Sequence, residues 1–258
     1  MGLIYILIFV FGAIIGSFLN VVIDRWNTGV GLGGRSKCDA TGKPLAWYEL
    51  IPIVSYILQG GKSIHSKTPL SIQYPLVEMA TGFVFVLIFL KFWPLAFRFP
   101  PDFMFGLLFN FIIFSILTII FVYDLKHKII PDFFVWIFNS LVLLNVLVFY
   151  PNILHILAGP IVALPLFLLW IVSKGRWIGF GDVKFALGMG WMLGISSGFS
   201  ALLISFWIGA LVGIVLLLSK ILKNHEIPFA PFLIIGTFLT FLYNIDMQSV
   251  GLFFMNLI

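Results

Sequence analysis

The chain has 258 residues, of which 61% are hydrophobic and only 10% are charged, and its mean hydropathy is +1.14. A soluble domain is about 45–50% apolar and about 25% charged, so this composition excludes a soluble globular protein and predicts an integral membrane protein. The net charge of +5 is explained by membrane topology and contact with anionic lipid, and no nucleic-acid partner is expected.

Apolar segments long enough to cross a bilayer, about 17–25 residues each, follow one another along the chain. The first lacks a preceding basic region, so we expect a retained helix and not a cleaved signal peptide. Very short junctions at Pro151 and at Ser196–Ser197 leave shorter or re-entrant segments as an alternative there. The predicted fold class is an all-α polytopic bundle of about eight transmembrane segments, near 3–23, 77–97, 103–123, 133–150, 153–173, 183–198, 199–219 and 228–245.

Three parts are predicted: a first transmembrane helix (1–23), a loop insertion (24–76) and a transmembrane domain with the candidate site (77–258). The loop contains LAWYELIPIVSYILQGG, which is rich in aromatic and aliphatic residues but too short to span a bilayer. It predicts either a small packed element or a helix that lies against the membrane surface. We expect the loop to be held by apolar contacts of Trp47, Tyr48, Ile51, Ile53 and Tyr56.

A glycine-rich stretch, GVGLGG, follows the first helix and contains the formal dinucleotide fingerprint Gly29-x-Gly31-x-x-Gly34. That fingerprint has its meaning where it follows a strand and opens a helix within a βαβ unit. Neither a strand nor a βαβ unit is predicted here. A flexible linker after the helix is therefore the preferred interpretation.

Lysine and arginine predict the orientation, because cytoplasmic loops carry an excess of them. With alternate loops on one side, only Lys91 and Arg98 face outward. The first helix then runs inward, and the loop 24–76 is cytoplasmic. The thirteen basic residues on the cytoplasmic side are Arg25, Arg35, Lys37, Lys43, Lys62, Lys67, Lys126, Lys128, Lys174, Arg176, Lys184, Lys220 and Lys223.

Two aspartates lie at this same membrane face. Asp124 ends the third apolar segment, and Asp182 opens the sixth. An ionisable group at membrane depth is costly unless it is paired or wet, so it indicates a functional site. Two carboxyl groups a few ångströms apart cannot both ionise, and one can then deprotonate a water held between them, as in aspartic proteases.

Simpler roles are alternatives for these and nearby residues. Asp182 on its own also suits a helix N-cap, and for Asp132, which follows Pro131, an N-cap is the preferred role. His127 lies between two lysines and is interpreted as a solvated loop residue. Nucleophilic catalysis is unsupported, because the sequence contains no Ser/His/Asp or Cys/His constellation.

Six blocks occur in a fixed order: GSFLNVVIDR (16–25), LAWYELIPIVSYILQGGKS (45–63), YPLVEMATG (74–82), DLKHKIIPD (124–132), GFGDVK (179–184) and IPFAPFL (227–233). With them the chain resembles the type IV prepilin peptidases over nearly its whole length. The GxGD motif alone would be weak evidence. Six ordered blocks together with the predicted topology are specific.

The resemblance implies an inner-membrane aspartic endopeptidase that removes the basic leader of prepilins or pseudopilins on the cytoplasmic side. Asp124 and Asp182 match the family's catalytic pair, and this reaction needs no cofactor. Many members also methylate the new N-terminus with S-adenosylmethionine; peptidase activity alone is the alternative. Acids expected to be exposed, such as Asp39, Glu49 or Glu78, would attract the basic leader.

The loop departs from the family pattern, in which many members carry two CxxC pairs that bind zinc. Here the first pair reads CDAT, with Cys38 and Thr41, and the second reads SIHS, with Ser63 and Ser66. A structural zinc site needs about four cysteine or histidine ligands, and Cys38 with His65 cannot supply them. We therefore expect no zinc.

Two other classes of protein are alternatives to this interpretation. A transporter also places acids at membrane depth, but it usually needs them near the midplane between related halves, and the sequence has neither a repeat nor a midplane charge. A non-catalytic assembly factor for a pilus or secretion machine would keep the helices and need neither Asp124 nor Asp182.

Overall fold

The predicted all-α membrane fold is confirmed by a computed structural model, which describes residues 2–37, 41–64, 66–219 and 227–255. Within that part of the chain, six helices are long and apolar enough to cross a membrane. Extended pairing there is limited to two isolated bridges, Lys37 with Pro44 and Lys62 with Pro69. The helices are α1 (Gly2–Arg25), α2 (Val54–Leu58), α3 (Gln73–Phe92), α4 (Pro100–His127), α5 (Asp132–Phe149), α6 (Ile153–Ser173), α7 (Phe180–Leu218), α8 (Ala230–Tyr243) and α9 (Met247–Met255).

The chain forms two compact units, Met1–Ile119 and Ile120–Ile258, and α4 contributes residues to both. The three-part division made from the sequence stays a prediction. Both helices that flank the loop extend further toward it than the sequence predicted. Helix α1 ends at Arg25 and not at residue 23, and α3 begins at Gln73 and not at residue 77.

In the first unit, α1 packs tightly against α3. A methyl group on Gly12 would lie 2.8 Å from the Cα of Gly82, and one on Gly16 would lie 2.8 Å from the Cα of Glu78. Small residues four apart allow two membrane helices to approach at their backbones. The pair therefore holds the two ends of the loop side by side.

The expected apolar packing of the loop is wrong for three of its five residues, Trp47, Tyr48 and Ile51, whereas Ile53 and Tyr56 are half-buried. Trp47 is 76% exposed, and Tyr48 and Ile51 are exposed as well, because their side chains point away from the unit. Two buried carboxylates hold this part of the loop instead. Glu49 accepts a hydrogen bond from the backbone N–H of Ala46 (2.7 Å), and Glu78 of α3 accepts one from that of Ile53 (2.7 Å).

The same observation corrects the expectation that Glu49 and Glu78 are exposed acids. Both side chains are buried, and their oxygens accept hydrogen bonds from the loop backbone. Neither presents a free negative charge to a basic peptide at the surface. Asp39, the third acid considered, lies outside the described residues.

The glycine-rich stretch is wrapped around the end of α1. The Arg25 guanidinium donates hydrogen bonds to the carbonyl oxygens of Gly31, Leu32 and Gly33 at 3.1, 3.3 and 3.1 Å. It follows a helix and not a strand, so it lacks the structural context of a dinucleotide site.

In the second unit, α7 packs against α5, α6 and α8. It consists of two arms, 180–193 and 195–218, because the chain reverses at Gly194. Trp191 donates to the carbonyl of Ile156 near the start of α6 (2.8 Å), whereas Gly198 lies against Val162, further along α6. The second arm therefore runs back along α6. If α7 were straight, residue 198 would lie beyond the start of α6 and could not contact Val162.

This reversal gives two antiparallel apolar segments in the region where two were predicted, with the break at Gly194 and not at Ser196–Ser197. Gly194 has φ 81° and ψ 177°, a backbone conformation that essentially only glycine adopts. The first arm is as long as α8, which has 14 residues.

Candidate active site

Asp124 lies in the last turn of α4 and is 4% exposed. Its carboxyl group accepts a hydrogen bond from the backbone N–H of Ala230, the first residue of α8. The first N–H groups of a helix have no partner within it, and the positive end of the helix dipole favours a negative charge there. Asp124 thus supplies from another helix the acceptor that the start of α8 needs.

Asp182 occupies the third position of α7 and is 6% exposed. Its carboxyl group accepts a hydrogen bond of 3.2 Å from the backbone N–H of Gly179, which is the N-cap residue. The alternative that Asp182 is itself the N-cap is therefore wrong in detail. It takes part in the cap from within the first turn, and its second carboxyl oxygen is left for other contacts.

The two carboxyl groups lie close enough for their charges to interact. Each is bound at the start of a helix, Asp182 at α7 and Asp124 at α8, so two helix N-termini converge on the pair. Buried carboxyl groups next to each other share protons, because ionising both is unfavourable. The sequence expectation of two acids at one depth is consistent with this arrangement.

The first turn of α7 is fixed in place by close packing against α5 and the segment before it. A methyl group on Gly181 would lie 3.0 Å from the Cβ of Ile130, so glycine lets the two backbones approach closely without displacing Ile130. The amide of Asn139 on α5 donates a hydrogen bond of 2.9 Å to the carbonyl of Lys184, and Phe138 stacks on Phe185 at 5.4 Å. These contacts set the position of Asp182.

Asp132 does not have the N-cap role expected for it. Pro131 is the N-cap of α5, and Asp132 is the first helical residue. Its carboxylate forms an ion pair of 2.6 Å with Lys184, because α5 and α7 begin next to each other. His127 is exposed as expected, but it belongs to the last turn of α4, and its ring contacts that of Tyr123 at 4.4 Å.

Reasoning from the sequence missed the contribution of Ala230. The block IPFAPFL was recognised, yet no chemistry was assigned to it, because a backbone N–H leaves no mark in a side-chain pattern. Pro231 at the second helical position was the available signal, since proline is favoured at the start of a helix.

A separate cavity of about 810 Å³ lies in the first unit, between the end of α1, the start of α3 and the loop. Acidic and basic side chains share its wall. The charged residues that line it are Asp24, Arg25, Arg35, Lys37, Glu49 and Glu78.

Whether the loop binds zinc depends on residues that the structure does not describe. Cys38, Asp39 and His65 lie outside the described residues. In the part of the chain that is described, no group of three or more histidine, cysteine, aspartate or glutamate side chains could hold a metal ion. The absence of zinc stays a prediction.

Together, the fold and the paired acids define a multi-pass helical membrane protein with two buried carboxyl groups at adjacent helix starts. The sequence matches the models of the bacterial peptidase A24 N-terminal domain over residues 10–92 and of the type IV leader peptidase family over residues 111–214. The chain belongs to the type IV leader peptidase family, which confirms the resemblance drawn from the six blocks, and it is an enzyme.

Three relatives are named prepilin leader peptidase/N-methyltransferase. The protein of Bacillus subtilis (strain 168) is 30% identical, with 92% of this chain and 93% of the relative covered. That of Xanthomonas campestris pv. campestris is 29% identical (92% and 90%), and that of Pseudomonas aeruginosa is 27% identical (90% and 88%). No solved structure matches the chain.

Proposed function

We propose that the chain is an aspartic endopeptidase that cleaves the basic leader from type IV prepilins or pseudopilins, with Asp124 and Asp182 as the catalytic pair. The observation that carries this proposal is the electrostatic contact between two buried carboxyl groups, each bound to the start of a helix. The names of the relatives supply the substrate class.

The chemistry follows from the shared proton. The ionised carboxylate takes a proton from a water held between the two groups, and the water oxygen attacks the carbonyl carbon of the scissile peptide. The protonated carboxyl group gives its proton to the substrate as the peptide bond breaks. Hydrogen bonds from Gly179 and Ala230 hold the two carboxyl groups in place, and in this proposal the oxygens that face each other bind the water.

We place the pair at the cytoplasmic face of the inner membrane. The support is the distribution of lysine and arginine, thirteen of fifteen on one side of the predicted topology. Labelling of Cys38 in intact cells tests the orientation, since an impermeant thiol reagent should reach it only after the membrane is opened.

We also propose that the enzyme methylates the new N-terminus and that the cavity of the first unit takes S-adenosylmethionine. Its volume of about 810 Å³ lies in the range of ligand pockets, about 300–1,000 Å³. When bound, this cofactor supplies an electrophilic methyl group. Acidic side chains of the wall would face its sulfonium and ammonium groups, and Arg35 would hold its carboxylate, so the wall offers both charges that the cofactor needs.

Coexpression with candidate prepilins tests the peptidase. Asp124→Asn and Asp182→Asn should each abolish cleavage while the chain still inserts into the membrane at the wild-type level. Cleavage by either variant would contradict the catalytic pair. A non-catalytic assembly factor needs neither aspartate and predicts the opposite result, namely unchanged prepilin processing in both variants.

Mass spectrometry of the cleaved product tests methyl transfer separately. Arg35→Ala should leave leader cleavage unchanged and yield a mature N-terminus that lacks the methyl group. Lys43→Ala, an exposed basic residue of the same loop that does not line the cavity, is the matched control and should leave both reactions intact. Full methylation by Arg35→Ala would contradict the assignment of the cavity.

A further inference from the structure

We propose that residues 46–58, called here the interfacial segment, bind the lipid bilayer and lie in its headgroup boundary. The segment comprises the 3₁₀ helix Trp47–Leu50, a corner at Pro52 and Ile53, and helix α2. Three observations support this proposal: which side chains of the segment are exposed, which hydrogen bonds hold it, and where it lies along the spanning helix α3.

The polarity of α2 is inverted relative to a helix of a soluble domain. Val54, Ile57 and Leu58 are 47%, 68% and 81% exposed, at the spacing of one helical face. Ser55 and Gln59 lie on the other side and line the polar cavity. The apolar face of α2 therefore points away from the protein.

The 3₁₀ helix repeats this arrangement. Trp47 and Tyr48 are exposed, whereas Glu49, the one acidic or basic residue of the interfacial segment, is buried and accepts the Ala46 N–H. A surface made for water would turn its charge outward and its tryptophan inward. Here both preferences are reversed over the whole segment.

A hydrogen bond fixes the depth of the segment. The backbone N–H of Ile53 donates to Glu78, which lies five residues after the first residue of α3. At about 1.5 Å per residue, the contact with Glu78 lies about 7.5 Å along the helix axis from the start of α3, which is a helix that can span the membrane. The segment is thereby tethered beside the end of a spanning helix, where the headgroups lie.

The backbone at this tether is strained. Ile53 has φ 64° and ψ −51°, a conformation that a β-branched residue rarely adopts and that persists only where its surroundings impose it. The turn at Ile53 orients α2 so that its polar side faces the cavity.

The chemistry of the exposed side chains identifies lipid as the partner. Tryptophan and tyrosine favour the membrane interface, where the ring is apolar and its polar atom reaches water. The exposed Lys62 and Lys67 of the same loop would meet anionic headgroups. A bilayer already surrounds the helix to which the segment is tethered, so no additional protein is needed to cover it.

Site-directed spin labelling tests the proposal in vesicles of phosphatidylcholine and phosphatidylglycerol. Leu58→Cys is made in the Cys38→Ser background, which removes the only native cysteine. The matched control is Lys43→Cys, an exposed position of the same loop outside the segment. We expect the nitroxide at position 58 to be accessible to oxygen and protected from a water-soluble nickel complex by roughly tenfold relative to position 43, because charged and polar groups are excluded from the bilayer.

Three results would overturn the proposal. Equal access of the nickel complex to positions 58 and 43 would place the segment in water. Protection that arises only after a prepilin is added would assign the surface to the substrate. Protection that disappears when vesicles carry a single chain each would assign it to a second copy.

Discussion

Lys184 and Asp132 form an ion pair of 2.6 Å that joins the starts of α7 and α5, two residues from Asp182. The carboxylate of Asp132 is 62% exposed. An exposed pair of this kind contributes about 0–1 kcal/mol, so its loss should have a small effect. A substitution of Asp132 can therefore be compared with substitutions of the buried acids Asp124 and Asp182.

We expect Asp132→Asn to keep leader cleavage within about fivefold of the wild type, which corresponds to about 1 kcal/mol. Initial rates of prepilin processing in membranes measure it. Asp182→Asn removes the same charge nearby and should leave no activity. Equal loss in the two variants would show that negative charge at the helix starts, and not the buried pair, supports cleavage.

Cleavage should have a bell-shaped dependence on pH. The reaction needs one ionised and one protonated carboxyl group, so the rate falls both when the pair gains a second proton and when it loses its only one. Processing of a prepilin by reconstituted enzyme, followed across the acid and alkaline ranges, checks this. A rate that rises to a plateau and never declines would require a single general base in place of the pair.

Gly194→Ala should destabilise the second unit, because alanine must adopt the φ 81° and ψ 177° of the reversal. Strain in this region costs about 1–3 kcal/mol. The midpoint of thermal unfolding in detergent should fall accordingly.

Gly213→Ala is the matched control, since Gly213 lies within the second arm of α7 and its nearest atom to an added methyl group is 3.8 Å away. In a helix this exchange gains up to about 1 kcal/mol. A Gly194→Ala protein as stable as Gly213→Ala would argue against the reversal.

Glu78→Ala should release the loop at Ile53. A buried N–H that loses its acceptor costs about 1–3 kcal/mol, so exchange of the Ile53 amide hydrogen should become roughly tenfold faster or more. Hydrogen exchange with mass spectrometry on the peptide that contains Ile53 measures it. Trp47→Ala serves as the comparison in detergent, where its exposed ring makes little difference to that amide.

Purified enzyme should contain no stoichiometric zinc, and Cys38→Ser should cleave prepilins as well as the wild type. Three of the four thiolates of the family pattern are absent, and a zinc site needs about four ligands. Elemental analysis and the cleavage assay check the two statements independently. One tightly bound zinc per chain, lost together with activity in Cys38→Ser, would contradict both.

The sequence alone predicts the long apolar helices and puts Asp124 and Asp182 at helix ends, because hydropathy and charge are local properties of a segment. The partner of Asp124 could not be found in this way. Ala230 is distant in the chain and contributes only a backbone N–H, which becomes visible when α4 and α8 pack side by side.

The burial of Trp47, Tyr48 and Ile51 in the loop was predicted wrongly for a related reason. A run such as AWYELIPIVSY shows that apolar surface must be covered, but not which medium covers it. The hydrogen bond between Ile53 and Glu78 and the inward position of Glu49 decide which side faces outward. The first joins residues 25 apart in the chain, and the second depends on a 3₁₀ turn capped at Ala46. The position of the α7 break was likewise set by the backbone of Gly194, two residues before the predicted serines.

The first arm of α7 and helix α8 both begin beside the acid pair, and each is about 21 Å long at 1.5 Å per residue. The hydrocarbon core of a bilayer is about 30 Å thick, so both helices are too short for it. Such a hydrophobic mismatch is relieved when the bilayer thins locally around the short helices. A dimple in the lipid would then let water and a polar leader peptide reach Asp124 and Asp182.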